Sequence, residues 1–208
     1  MRNAFSGVAV FAACALLAGS AFAAPVDGNS ARKQLFRPNG MVVKPLKPQG
    51  LDKQSQAVAD GMIQNMRSGS VMKQFEASGY GYYGAVALPK SAPEGQANPT
   101  VVVQLHSPEA AQRAAITECQ KTNGGTCVPI ALMLPKGYRA RDLTLSQDAT
   151  KRVVGTWKDG GAPKYLAYSP TTHGWGIAKG ASATPQTAID SCNQVAKRSD
   201  CVVAIEDK

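Results

Sequence analysis

Two stretches of this chain follow one plan, and that plan constrains the fold more than any other feature. "AAITECQKTNGGTCVPIALML" runs from Ala114 to Leu134, and "AIDSCNQVAKRSDCVVAIEDK" closes the chain from Ala188 to Lys208. Each sets an alanine-containing segment before a cysteine, then a polar gap, a second cysteine and an apolar run. The first part of each plan reads as a helix. Ser107 and Thr184 are N-caps, Pro108 and Pro185 take the first helical position, and Glu109 lies at the positive end of the helix dipole. The runs "CVPIALML" and "CVVAIED" read as strands.

Two further strand candidates precede each helix. In the first copy "YGYYGAVAL" and "TVVVQLH" flank the loop "PKSAPEGQANP"; in the second "KYLAYSP" and "WGIAKG" flank the turn "TTHG". The order strand-strand-helix-strand, written twice, predicts an α+β fold. It comprises two pseudo-repeated ββαβ units with mainly antiparallel sheet, over residues 80–134 and 164–208. The interval from proline to cysteine is eleven residues in one copy and seven in the other. A difference of four is close to one helical turn of about 3.6 residues, so a turn can be lost without rotating the cysteine off its face.

The compartment follows from the start of the chain and from its sulfur. "MRNAFSGVAVFAACALLAGSAFAAP" has one positive charge at Arg2, an apolar core from Gly7 to Gly19, and the small residues Ala21 and Ala23 before a cleavage point. The core is shorter than the roughly 20 residues needed to span a bilayer. Residues 1–23 are therefore expected to be a signal peptide, with no transmembrane span after cleavage, and the protein to be periplasmic or secreted. Lipidation at Cys14 is the alternative reading of the same segment. Four cysteines remain: Cys119, Cys127, Cys192 and Cys201. Zinc sites made of four cysteines favour gaps of two to four residues; the gaps here are seven and eight. No metal site is expected. Disulfides are, with local closure of Cys119–Cys127 and Cys192–Cys201 favoured over the two cross-linked connectivities. A closed loop of about nine residues is worth roughly 2.5 kcal/mol in the chain-entropy account.

The full chain carries a net charge of +9. Counting Asp, Glu, Lys and Arg, residues 24–79 carry +4, residues 80–134 carry 0, residues 135–163 carry +3 and residues 164–208 carry +1. Basicity thus belongs to the leader and the connector. Residues 24–50 hold four prolines and no apolar period, and are expected to form a disordered basic arm. Residues 51–79 are a helical lead-in, with Asp52 as N-cap and Leu51, Val58, Met62 and Met66 on one face. The basic connector, residues 135–163, contains a short helix from Gln147 to Trp157 capped by Ser146.

At "YLAYSPTTHGWGIAKG", "AIDSC" and "DCVVAIED" the chain resembles a family of exported bacterial domains of unknown function, the four-one-eight-nine family. The positions that carry the resemblance are Ala167, Tyr168, Ser169, Trp175, Gly176, Cys192, Cys201, Val202 and Val203. The first copy matches through Tyr83, Gly84, Ala85, Val86, Ala87, Cys119 and Cys127, and lacks the Trp-Gly pair. The resemblance covers roughly residues 80–208 and implies a fold and an envelope location. It brings no activity.

Few residues are candidates for chemistry. The two histidines, His106 and His173, belong to no HExxH motif, and no GxSxG elbow or phosphate-binding glycine loop is present. No cofactor and no catalytic residue is assigned. The tyrosines Tyr80, Tyr82 and Tyr83, placed on a strand, would put Tyr80 and Tyr82 on one face and Tyr83 on the other, and are read chiefly as core. The expected contact residues are Tyr168, His173 and Trp175 around the "THGW" turn and Arg139 and Arg141 in the connector.

These features predict an exported non-enzymatic protein that binds another protein or an anionic envelope polymer. An inhibitor or immunity factor against a wall-degrading enzyme or toxin is one concrete form. The alternatives are a wall-polymer hydrolase using His173 and Asp190, and passive adhesion through Arg32, Lys33, Arg37, Lys44 and Lys47. Nucleic acid is not expected, because the basic residues are not interleaved with stacking aromatics.

Overall fold

The computed structural model describes residues 24–208; the expected signal peptide and Cys14 lie outside the described residues. Both repeats fold as ββαβ units. The first contains β2 (Gly84–Pro89), β3 (Thr100–Val102), α4 (Pro108–Asn123) and β4 (Cys127–Pro135). The second contains β5 (Lys164–Tyr168), β6 (Trp175–Lys179), α6 (Pro185–Ala196) and β7 (Val202–Asp207). In each, the first strand lies between the second and the third, and all pairings between named strands are antiparallel. The copies also share an irregularity. The register slips at Val86/Ala87 and at Leu166/Ala167, leaving Ile130 and Ala204 unpaired, each three residues after the second cysteine. The peptide bonds Tyr82–Tyr83 and Ala162–Pro163, which lead into the first strand of each unit, are both cis.

Disulfides join Cys119 to Cys127 and Cys192 to Cys201, each with a Cα–Cα distance of 6.1 Å. Each pins the C-terminal part of its helix to the start of the following strand. The helices begin as their residues dictate: Ser107 Oγ accepts from Ala110 N at 3.0 Å, and Thr184 forms a capping box with Thr187. Small residues let the second helix approach its sheet closely. A Cβ on Gly176 would stand 2.5 Å from Cys192 N and 2.8 Å from Ala188 O, and one on Gly174 would stand 2.6 Å from Ala196 Cα. Thr100 occupies the register position of Gly176 in the first copy, pairing with Ala87 as Gly176 pairs with Ala167.

Alternation along the central strands buries both faces. On β5, Tyr165 and Ala167 face α6, whereas Leu166 and Tyr168 join a core with Ile205 and Ile177 on the opposite side. That opposite side is closed by α1 (Gly28–Gln34) and α5 (Gln147–Thr156), through Ala31, Leu35, Ala149, Val153 and Trp157. The first unit is covered in the same manner, by α4 and by the lead-in helices α2 (Lys53–Met66) and α3 (Gly69–Ala77). Lys164 Nζ donates to Trp157 O at 2.9 Å and Lys179 Nζ to Thr156 O at 2.7 Å, so two ammonium groups sit at the negative end of α5.

The leader departs from the sequence expectation. Residues 24–50 are an ordered part of the fold. Val26 bridges in parallel to Ile205, bonding to the outer edge of β7 through Val26 N to Ala204 O and Glu206 N to Val26 O. Asp27 caps α1, accepting from Asn29 N and Ser30 N. The chain then crosses to the first unit and adds β1 (Met41–Pro45) antiparallel to β4, giving the sheet order β1-β4-β2-β3. Each piece is too short to show a period, and each is held by distant partners.

Two smaller differences concern the strands. Tyr80 to Tyr83 precede β2 rather than forming its start; Tyr82 and Tyr83 are fully buried, and Tyr80 stacks on Phe75 with ring centroids 5.0 Å apart. The second strand stops at Val102 because Gln104 is left-handed, with φ 63°. Its amide nitrogen donates to Gly79 O and its oxygen accepts from Asp148 N, turning the chain toward α4.

Candidate functional site

His106 lies where the first unit, the connector and the second unit meet, and its side chain is 1% exposed. Its Nδ1 accepts from Ser146 N at 3.1 Å, which leaves Nε2–H to donate to Gly174 O at 3.1 Å. Tyr168 packs against the ring with centroids 5.1 Å apart. Burial holds the imidazole neutral and depresses its pKa to about 4. Both nitrogens are therefore occupied within the protein, and His106 acts as a clamp between units. Its partner turn is fixed from the other side as well, by Ser169 N to Gly174 O at 2.9 Å and Thr172 N to Ser169 Oγ at 3.0 Å.

The expected contact residues divide. His173 is exposed at the apex of this turn, and no hydrogen bond joins it to Asp190 among the described residues; Asp190 instead accepts from Gln186 Nε2 at 2.7 Å. Tyr168 and Trp175 face each other across β5 and β6, half-buried against the core beneath α1 and α5. Burial raises the phenol pKa of Tyr168. The cleft beside Tyr168, bordered by Val26, Asp142 and Leu143, measures about 50 Å³. That is far below the several hundred Å³ of ligand pockets. Arg139 is exposed. Arg141 is not free for a partner: its guanidinium lies 3.7 Å over the Phe36 ring and donates to Gln34 O, fastening the connector to the leader. The five residues therefore do not converge on one surface.

A larger concavity lies where sequence reasoning placed none, between β1 and the α2–α3 pair. One part, about 450 Å³, runs beside Gly40 to Val43; the next, about 670 Å³, runs beside Pro45 to Pro48. Arg67, at the α2–α3 junction, lines both parts. Apolar side chains form the inner wall, among them Ile63, Met66 and Met72. The charged lining consists of Lys47, Arg67, Lys73 and Lys136 against the carboxylates Asp60 and Glu76. Glu76 is engaged internally, accepting from Gly40 N at 2.9 Å and Gln147 Nε2 at 3.2 Å. None of the four basic side chains forms an ion pair among the described residues.

The groove also carries an unpaired strand edge. Lys136 N donates to Gly40 O, and Leu46 N donates to Ile130 O. The even-numbered residues of β1 therefore bond toward β4, and Met41 and Val43 turn their N–H and C=O groups away from it. No protein group takes these N–H groups among the described residues. The only sequence signal for this site was "MVVKP", a β-branched run with a proline, embedded in a stretch whose composition argued for disorder.

Among the described residues no group of three or more His, Cys, Asp or Glu side chains could hold a metal ion, and no helix is long and apolar enough to cross a membrane. The two disulfides fit a chain that matures in an oxidising compartment. No protein-family model matches the chain, and no similar curated protein or solved structure was found.

Proposed function

We propose that this is a non-enzymatic envelope protein, periplasmic or secreted, whose task is to bind another macromolecule. The observation that carries the reading is the contrast between its interior and its open surface. The buried histidine has both nitrogens occupied, and all four cysteines of residues 24–208 are bridged. A ligand-sized concavity, by contrast, is a groove with apolar side chains on its inner wall, a basic rim and an unpaired backbone edge. That combination suits docking better than acid–base chemistry. The secretory form of residues 1–23 and the two disulfides support the envelope location. An inhibitor or immunity factor directed at a wall-degrading enzyme or toxin is the form this reading favours.

Gentle cross-linking in envelope extract, using the exported protein with its disulfides intact, tests the proposal. A discrete cross-linked macromolecular partner is the expected result. Recovery of the protein alone, or release of fragments from wall material that disappears in His173→Ala, overturns it. Salt dependence, rather than deletion of the leader, separates binding from passive adhesion, because contacts made only by exposed charge weaken as salt rises. Arg32 and Lys33 ride on α1 and Lys44 on β1, so deleting the leader removes structure as well as charge.

A further inference from the structure

We infer that β1 accepts one more strand: an extended acidic peptide segment of the partner, added along its free edge and seated in the groove against α2 and α3. The inference rests on the proposed binding function and names the chemistry of what is bound.

Three observations carry it. The first is the backbone. An edge strand with outward N–H and C=O groups at Met41 and Val43 offers the repeating donor–acceptor row that another strand completes. A polysaccharide or polyphosphate has no matching alternation of amide groups. The second is the wall. Strand addition gains specificity when alternate side chains find pockets; the groove part bordered by Met66 and Met72 runs beside Gly40 to Val43, and the part bordered by Ile63 and Ala59 continues it past Pro45, where β1 ends. The third is charge. Lys47, Arg67, Lys73 and Lys136 are all exposed around the groove, whereas one of its two carboxylates is bonded inward. Complementary charge steers the encounter and discriminates against wrong partners. It also disfavours a second copy of this chain, since edge-to-edge pairing of two β1 strands would bring two basic rims together.

The length of the site is limited. Pro45 has no N–H to offer, so Met41 and Val43 supply the two outward donors of the strand. Val42, 41% exposed, lines the same part of the groove and adds an apolar contact there.

The test uses a synthetic peptide of about eight residues alternating valine and glutamate, a length typical of strands. A valine–lysine peptide and polygalacturonate serve as comparisons. Amide exchange of the isotopically labelled, disulfide-intact protein is followed by NMR. The expected result is that the acidic peptide slows exchange at Met41 and Val43, and that the valine–lysine peptide does not. The double variant Arg67→Glu, Lys73→Glu, at exposed helix positions, is expected to weaken binding about tenfold, from two reversed rim charges. Val43→Pro removes one outward donor and is expected to abolish protection at Met41, provided its spectrum remains folded; the charge variant decides the matter if it does not. Equal binding by polygalacturonate without backbone protection overturns the inference in favour of a simple polyanion patch. Protection arising from self-association, or absent at saturating acidic peptide, also overturns it. In those cases a partner captured by cross-linking would leave the broader binding function standing, whereas loss of that partner would remove the broader reading as well.

Discussion

Acidification should destabilise this protein through His106 before it touches the carboxylate caps. The imidazole is 1% exposed, accepts from Ser146 N and donates to Gly174 O, so a second ring proton would face the Ser146 amide donor. No side-chain carboxylate bonds the ring to compensate, and the charged form of His173 nearby would oppose protonation. The folded protein therefore resists the proton until about pH 4, whereas the unfolded chain binds it near the ordinary value of 6.5. The sign follows. The unfolded state holds more protons throughout that interval, so stability is complete above pH 6.5, falls as the pH drops through the interval, and levels off below pH 4. At about 1.4 kcal/mol for each pH unit, the interval from 6.5 to about 4 corresponds to a loss of roughly 3–4 kcal/mol, a large share of the 5–15 kcal/mol typical of a domain.

The assay is urea denaturation of the disulfide-intact protein at a series of pH values, alongside His106→Gln. The variant keeps a neutral polar side chain and removes the titration. Its stability at neutral pH is lower because the clamp geometry changes, but its profile between pH 6.5 and 4 should be flatter than that of the parent. The capping carboxylates titrate later. Ser30, first through its hydroxyl, lowers the pKa of Asp27, and the backbone N–H of Ser55 lowers that of Asp52, so their contributions are lost below the ordinary carboxylate range. Parallel profiles for parent and variant between pH 6.5 and 4 would refute the reasoning, because they would assign the loss to groups other than His106.

Four further outcomes are expected. Gly176→Ala, whose added carbon meets Cys192 N at 2.5 Å, should cost about 1–3 kcal/mol in urea denaturation. Gly61→Ala, in the middle of α2 with nothing within 4 Å of the new carbon, should instead stabilise by about 0.5–1 kcal/mol. Replacing Cys192 and Cys201 together by alanine should lower stability by about 2–3 kcal/mol, measured in the same way. Deleting residues 24–50 should leave a chain that aggregates or lacks cooperative unfolding, because it loses β1 and the buried Ala31, Leu35, Phe36 and Met41; a disordered arm would have been removed without consequence.

What could be read from the residues was whatever local chemistry decides. Asp52, Ser107, Ser146 and Thr184 were legible as caps because a capping side chain and its amide are about three residues apart; all four make that bond. The repeat was legible because a helix, a cysteine pair and a strand recur in fixed order. The leader was not, because a strand of five residues is stabilised by what it pairs with, and β4 lies some ninety residues away from β1. The role of His106 was hidden for the same reason: its partners, Ser146 and Gly174, are 40 and 68 residues distant. The groove combines both failures. Its strand reads as linker, and its basic rim draws on the leader, α2, α3 and the connector.

The leader also explains why the two halves of a duplicated fold are not equivalent as surfaces. Each unit orders its strands second, first, third, so each leaves the outer edge of its third strand open. On the second unit that edge receives the single bridge at Val26, after which α1 turns across the sheet and Asp207 bonds both Gly28 N and Trp157 Nε1. On the first unit it receives a full strand, which moves the open edge outward without removing it. An exposed edge invites aggregation unless something interrupts it. Here Pro38 and Pro48 flank β1 and Pro45 ends it, so the run of outward donors is too short to template a long sheet. A proline-limited edge set in a basic, apolar-walled groove discourages indiscriminate pairing while still admitting a short, complementary segment. That selectivity is what the proposed docking role requires and what a spacer strand would not need.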